Sequence, residues 1–153
     1  MNSYGLIDLH CDTLAEYWKY AHTGNPDTLD DPGRVLSLSN MPKDVHWAQF
    51  YAVFIPDEER GQAAIDCFEK NRANFYRQME KFGDRVAPCR NADDMEKAWA
   101  AGKTAAFLTI ENGSALAGDL SRVHTLAEQG VRAITLTWNG ENELGSGHTT
   151  DHR

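Results

Sequence analysis

The stretch Thr104-Ala105-Ala106-Phe107-Leu108-Thr109-Ile110 has no charged residue and no alternation of polar with apolar side chains. A strand with one wet face alternates, so an unbroken apolar run of this length marks a strand buried on both faces, the condition found in parallel sheets covered by helices. Parallel neighbours need crossovers of a dozen or more residues, usually helical, and the rest of the chain supplies them. Residues 5–10 read as a short strand carrying Leu6, Ile7 and Leu9. Residues 47–55 read as a second, rich in aromatic and β-branched side chains and closed by Pro56. Residues 131–137 read as a last strand, and 86–89 as a short extra one. Between them, residues 58–82 present Ile65, Phe68, Phe75, Met79 and Phe82 at three-and-four spacing, with Arg72 interrupting and Gly83 as the stop. Asn91 is placed to cap a helix running to Ala101. Asp119 is placed to cap one over 120–129, with Leu120, Val123, Leu126 and Ala127 on one side. A further helix is expected over 13–20, then a loop to Pro42 punctuated by Gly24-Asn25-Pro26 and Asp31-Pro32-Gly33. Strand and helix alternate throughout, which predicts an α/β parallel sheet.

Composition narrows the function. The 153 residues hold 15 Lys and Arg against 23 Asp and Glu, a formal charge of −8. An acidic chain lacks the clustered cations that a phosphate backbone requires, so no nucleic-acid partner is expected. No apolar run reaches the length of a membrane span, and no membrane partner is expected. The three cysteines, Cys11, Cys67 and Cys89, form no disulfide framework. The first residues have neither a basic nor an apolar leader region, and a cytoplasmic setting follows from both readings.

Asp8-Leu9-His10-Cys11-Asp12 closes the first strand. Alternation puts Asp8, His10 and Asp12 on one side at the strand's C-terminal end and turns Cys11 to the other, where it packs. Imidazole with carboxylates suits a divalent metal. Set against this, a single His-x-Asp arises by chance in a chain of this composition. Glu111 follows the buried strand directly, where a carboxylate is costly unless paired or metal-bound, or else turns outward into the loop. Thr137-Trp138-Asn139 ends the last strand, placing Trp138 on the same rim as a substrate wall or as core. His148 and His152 stand four apart in a Gly-rich tail that disfavours a helix. His22, His46 and His124 have no convincing partners.

Four blocks together resemble one family. Residues 7–14, Ile-Asp-Leu-His-Cys-Asp-Thr-Leu, are similar to the opening strand of the membrane (renal-type) dipeptidases, peptidase family M19, among the amidohydrolase-like metallohydrolases. Residues 48–54 resemble their second strand. Residues 106–113, ending Glu111-Asn112-Gly113 where the family usually has Glu-Gly-Gly, resemble their third, and residues 130–139 their fourth.

The resemblance implies a (β/α)8 TIM barrel, with residues 1–153 as its N-terminal half and about the first four βα units. It implies a binuclear centre with two Zn2+ ions, where His10 and Asp12 hold one metal and the catalytic Glu111 bridges both. It implies hydrolysis of a dipeptide substrate by a metal-activated water. The family's two further His ligands come from later strands. Where better-known members have Leu-Thr-His, this chain has Trp138, which leaves Trp138 as the candidate substrate contact. Competing expectations are another amidohydrolase-like hydrolase, a deacetylase or lactonase, and a non-catalytic half-barrel. In either case a half-barrel should associate, as a homo-oligomer or with a complementing C-terminal half.

Overall fold

The computed structural model describes residues 4–14 and 27–151. Five strands form one sheet: β1 (Gly5–Cys11), β2 (His46–Phe54), β3 (Val86–Pro88), β4 (Thr104–Glu111) and β5 (Val131–Ile134). The helices are α1 (Gln62–Lys81), α2 (Ala92–Ala100) and α3 (Arg122–Glu128). Every strand pairing is parallel. β1, β2, β4 and β5 lie side by side in that order. Short β3 lies along the first residues of β4, pairing Val86 with Thr104, while β5 pairs with its last residues.

β4 is buried from Ala105 to Ile110, as its unbroken apolar sequence requires. Ala106, Leu108 and Ile110 turn to one face and pack with Tyr51, Val53 and Ile55 against Phe68, Phe75 and Met79 of α1. Ala105 and Phe107 turn to the other, with Ala48 and Ala98, and there the Phe50 and Phe107 rings stack at 4.7 Å.

Two of the helices, α1 and α3, start later than periodicity alone suggests. α1 begins at Gln62 because Gly61 has φ +54°, a conformation that a helix cannot contain. Its buried stripe runs through Ala64, Phe68, Asn71, Phe75 and Gln78, leaving Ile65 half-buried and Arg72 paired with Glu69 at 2.7 Å. Asn91 caps α2 as expected, its side chain accepting from the Asp94 amide at 2.9 Å. α3 is shorter than its pattern: Asp119 accepts from the Ser121 amide in a preceding turn, and Leu120 and Val123 are exposed. β5 ends at Ile134, not at 137, because the chain beyond it bonds to the loop after β4.

Most of the helix expected over 13–20, the 24–26 turn, His22 and His152 lie outside the described residues. Among the described residues, no helix is long and apolar enough to cross a membrane.

Candidate metal centre

β1 contains a bulge. Its pairing with β2 runs regularly from Gly5–His46 to Asp8–Gln49 and resumes at Cys11–Tyr51, so Leu9 and His10 together oppose Phe50. One extra residue reverses the alternation that follows it. Asp8 therefore aligns with Gln49 and leaves the set read from the sequence; its carboxylate accepts the His10 amide at 3.1 Å. Cys11 turns with Tyr51 into the core beneath α1, as expected. Burial there pushes its thiol up to about 12, which makes it a packing residue without thiolate character.

His10 and Asp12 emerge on the side that Glu111 occupies at the end of β4. His10 Nε2 lies 3.3 Å from Asp12 Oδ1 and 3.5 Å from Glu111 Oε2. One ligating atom from each of the three lies within 4.8 Å of the others. Ligand atoms about 2.0–2.2 Å from a tetrahedral zinc stand roughly 3.4 Å from one another. One imidazole and two carboxylates at these separations fit a divalent metal in both chemistry and spacing. The Glu111 side chain is 20% exposed. Burial raises its carboxyl above the usual range; His10 opposes that shift and the nearby Asp12 charge adds to it. A cavity of about 550 Å³ is lined by Asp8, His10, Cys11, Asp12 and Thr13 together with residues 33–36.

Trp138 lies on the same rim. Its ring meets Phe54 edge-on at 4.8 Å, and Phe54 is the register partner of Glu111. At 41% exposure the indole is not part of the core. His148 and His124 are exposed and stand outside the cluster, and His46 stacks on Trp99.

Sequence reasoning missed the polar ring behind Glu111. Asn112 is fully buried, with φ +77°. Its amide nitrogen donates to the Ile55 carbonyl at 2.8 Å and to Asp57 Oδ1 at 3.2 Å. Its oxygen accepts from Ser114 Oγ at 2.9 Å and from Asn142 Nδ2 at 2.8 Å. Asp57 Oδ2 accepts from the Gly140 amide, and Arg60 donates to Ser114 Oγ and to the Glu141 carbonyl. These residues come from three loops separated by some 85 positions in sequence, from Asp57 to Asn142, and none has a metal-ligand pattern. The available signal was an Asn directly after the candidate carboxylate, a residue type that tolerates positive φ.

A family model for membrane dipeptidase (peptidase family M19) matches residues 1–153, and the chain belongs to that family. Solved structures with the same fold include a dipeptidase described as a metallopeptidase of family M19. It is 19% identical, with a TM-score of 0.76 over 92% of this chain and 45% of that one. A metallopeptidase from Rhodobacter sphaeroides, liganded with a phosphinate mimic of the dipeptide L-Ala-D-Ala, is 17% identical, with a TM-score of 0.75 over 92% of this chain and 47% of that one. A probable dipeptidase from Pseudomonas aeruginosa is 19% identical, with a TM-score of 0.69 over 89% and 35%. The chain thus spans less than half the length of each, and its α/β sheet is part of their barrel.

Proposed function

We propose that residues 1–153 form the N-terminal half of a zinc-dependent dipeptidase barrel and supply His10, Asp12 and Glu111 to a binuclear centre. The observation that carries this reading is the meeting of those three side chains at the C-terminal ends of parallel strands, where barrel enzymes of this architecture place their chemistry. His10 and Asp12 would hold one ion and Glu111 would reach both. Bound zinc polarises a carbonyl and lowers the pKa of water toward neutrality.

The chain's own groups do the rest. The bulge aims His10 across the mouth of the sheet. Asp12 and Glu111 each bring a carboxyl group beside its Nε2. Phe54 and Trp138 make an apolar wall for a substrate side chain. Family membership supports a dipeptide as the substrate class, as does the bound L-Ala-D-Ala mimic of the Rhodobacter sphaeroides relative.

One zinc ligand set is not two. Among the described residues three protein groups would serve two ions, with Glu111 alone on the second, and a complementing C-terminal half or a second copy would supply further ligands. β1 supports such association: its outer edge has no partner strand among the described residues, and Ile7 and Leu9 are 52% and 69% exposed. Cys11, Cys67 and Cys89 are all free thiols, which suits a reducing, cytoplasmic setting.

The test is hydrolysis of Gly-Leu and L-Ala-D-Ala, with N-acyl amino acids and lactones as competitors, by the complete barrel with added zinc. Dipeptide turnover lost in His10→Ala supports the reading. Preference for the acyl amino acid or the lactone would replace it with a deacetylase or lactonase.

A further inference from the structure

Where β4 ends, the backbone leaves the ladder but the ladder does not end. The Ile55 amide donates to the Glu111 carbonyl at 3.0 Å, the last regular rung between β2 and β4. In a parallel pair the following rung would run from the Gly113 amide to the Ile55 carbonyl. At Asn112 the chain turns with φ +77°, and the Gly113 amide goes instead to the Leu136 carbonyl at 3.2 Å, on the opposite side of β4. The Ile55 carbonyl is taken at 2.8 Å by the side-chain amide of Asn112. A side chain thus makes the rung that the backbone gave up.

The same amide has no capacity left over. Its two N–H groups go to Ile55 and Asp57, and its oxygen receives Ser114 and Asn142. The Asn112 backbone amide donates to Thr135 Oγ1 at 2.9 Å. Glu111 is therefore followed by a residue fastened to the ends of β2 and β5 at once. We propose that Asn112 is a positioning residue for Glu111: it fixes the peptide from which the carboxylate projects, and so sets that carboxylate against His10 and Asp12. This inference rests on the metal-site reading above.

The geometry separates positioning from plain stability. Asn112 touches none of the three candidate ligand atoms, so its effect on them must pass through the Glu111 backbone. Asn112→Gly keeps the positive φ without strain and removes the amide. Asn112→Asp tolerates the same backbone and keeps the acceptor, but it cannot donate to Ile55.

The experiment uses the complete barrel, loaded with Co2+ in place of zinc. Metal affinity is read by competition with a chromogenic chelator, and ligand geometry by the cobalt d–d spectrum, at a temperature where each variant is folded by circular dichroism. Both substitutions should lower affinity about 10–100-fold, the usual effect of disturbing an outer-shell support, and should change the band shape. Ser114→Ala, which withdraws one donor from Asn112 Oδ1, serves where Asn112→Gly does not fold and should change the spectrum in the same sense. Unchanged affinity and spectrum in the folded variants, with only a lower melting temperature, would make Asn112 structural and overturn the proposal. His10→Ala is the control for the site itself. A parent protein that binds no cobalt ends both readings, whereas a parent that binds it, His10→Ala that does not, and Asn112→Gly that binds like the parent end only this one.

Discussion

His10 Nε2 and Glu111 Oε2 stand 3.5 Å apart although their strands are not neighbours. β2 runs between β1 and β4, and the two side chains meet across its end. Neither strand alone could form this contact; the twist and order of the parallel sheet create it.

On the proposed metal-site reading, that contact joins two ligands of one ion. In the complete barrel, Glu111→Gln and His10→Ala should each reduce kcat/KM for Gly-Leu by more than the roughly 10–100-fold typical of an outer-shell change. Steady-state rates at saturating zinc check this. A Glu111→Gln enzyme within a few-fold of the parent would remove Glu111 from the chemistry.

Without metal, Glu111 should work against folding. Its carboxyl titrates above the ordinary range in the folded chain, chiefly through burial. A raised carboxylate pKa means that the fold favours the protonated form. The unfavourable contribution is therefore present at pH above the folded pKa and disappears as pH falls through it. In chelator-treated protein at neutral pH, Glu111→Gln should raise the melting temperature, and the gain should vanish toward pH 4. Thermal melts at both pH values read it.

Gly113 has no room for a side chain. A Cβ there would lie 2.5 Å from Leu144 Cδ1 and 2.9 Å from the Leu136 carbonyl oxygen. The leucine tip can swing away, but the carbonyl is backbone and already receives the Gly113 amide. Gly113→Ala should cost about 1–3 kcal/mol, the range for overpacking, as read by urea denaturation.

Trp138 is half out of the fold, so its truncation should be felt by substrate more than by stability. Trp138→Ala should raise KM several-fold for dipeptides with bulky side chains and leave glycine-containing ones less affected. Its effect on folding should stay below the about 3–5 kcal/mol of a fully buried aromatic truncation, since 41% of the residue is exposed. Kinetics on Gly-Gly against Leu-Leu separate the two effects.

Away from the mouth, Arg85 grips Asp30 with two bonds of 2.8 and 2.7 Å. Those bonds hold the Asp30 carboxyl below the usual range, against a smaller opposing effect of burial. Here the folded pKa is depressed, so the stabilisation is present above the unfolded value and is lost as pH falls through the folded one. The pair is partly exposed, and Asp30→Asn should cost only about 0.5 kcal/mol, with parent and variant converging in acid. Chemical denaturation across pH 3 to 7 checks it.

Much of this molecule was legible from the chain because its strongest signals are local. The unbroken apolar run of β4, the turn at Pro56 and the Asn91 cap each act within a few residues, and each is where the sequence predicts. His10, Asp12 and Glu111 were legible as types at strand ends, and their convergence followed once parallel order was assumed. Asp8 was misassigned because alternation holds only in a strand of unbroken register, and nothing in Asp8-Leu9-His10-Cys11 announces a bulge. Leu120 and Val123 were misread because helical spacing does not say whether a partner surface exists. The Asp57–Asn112–Asn142 ring was invisible for a different reason: its members share no spacing, and only the assembled sheet brings them together.

The bulge in β1 means that the strand has two parities. Up to Asp8, odd-numbered positions face the side where Glu111 stands; beyond it, even-numbered ones do. What separates His10 from the hydrophobic interior is thus a count, not a composition. In a straight strand of the same letters, the imidazole would point beneath α1 and the Cys11 thiol would stand in the mouth. Which side of the sheet receives the imidazole is written in the position of one surplus residue.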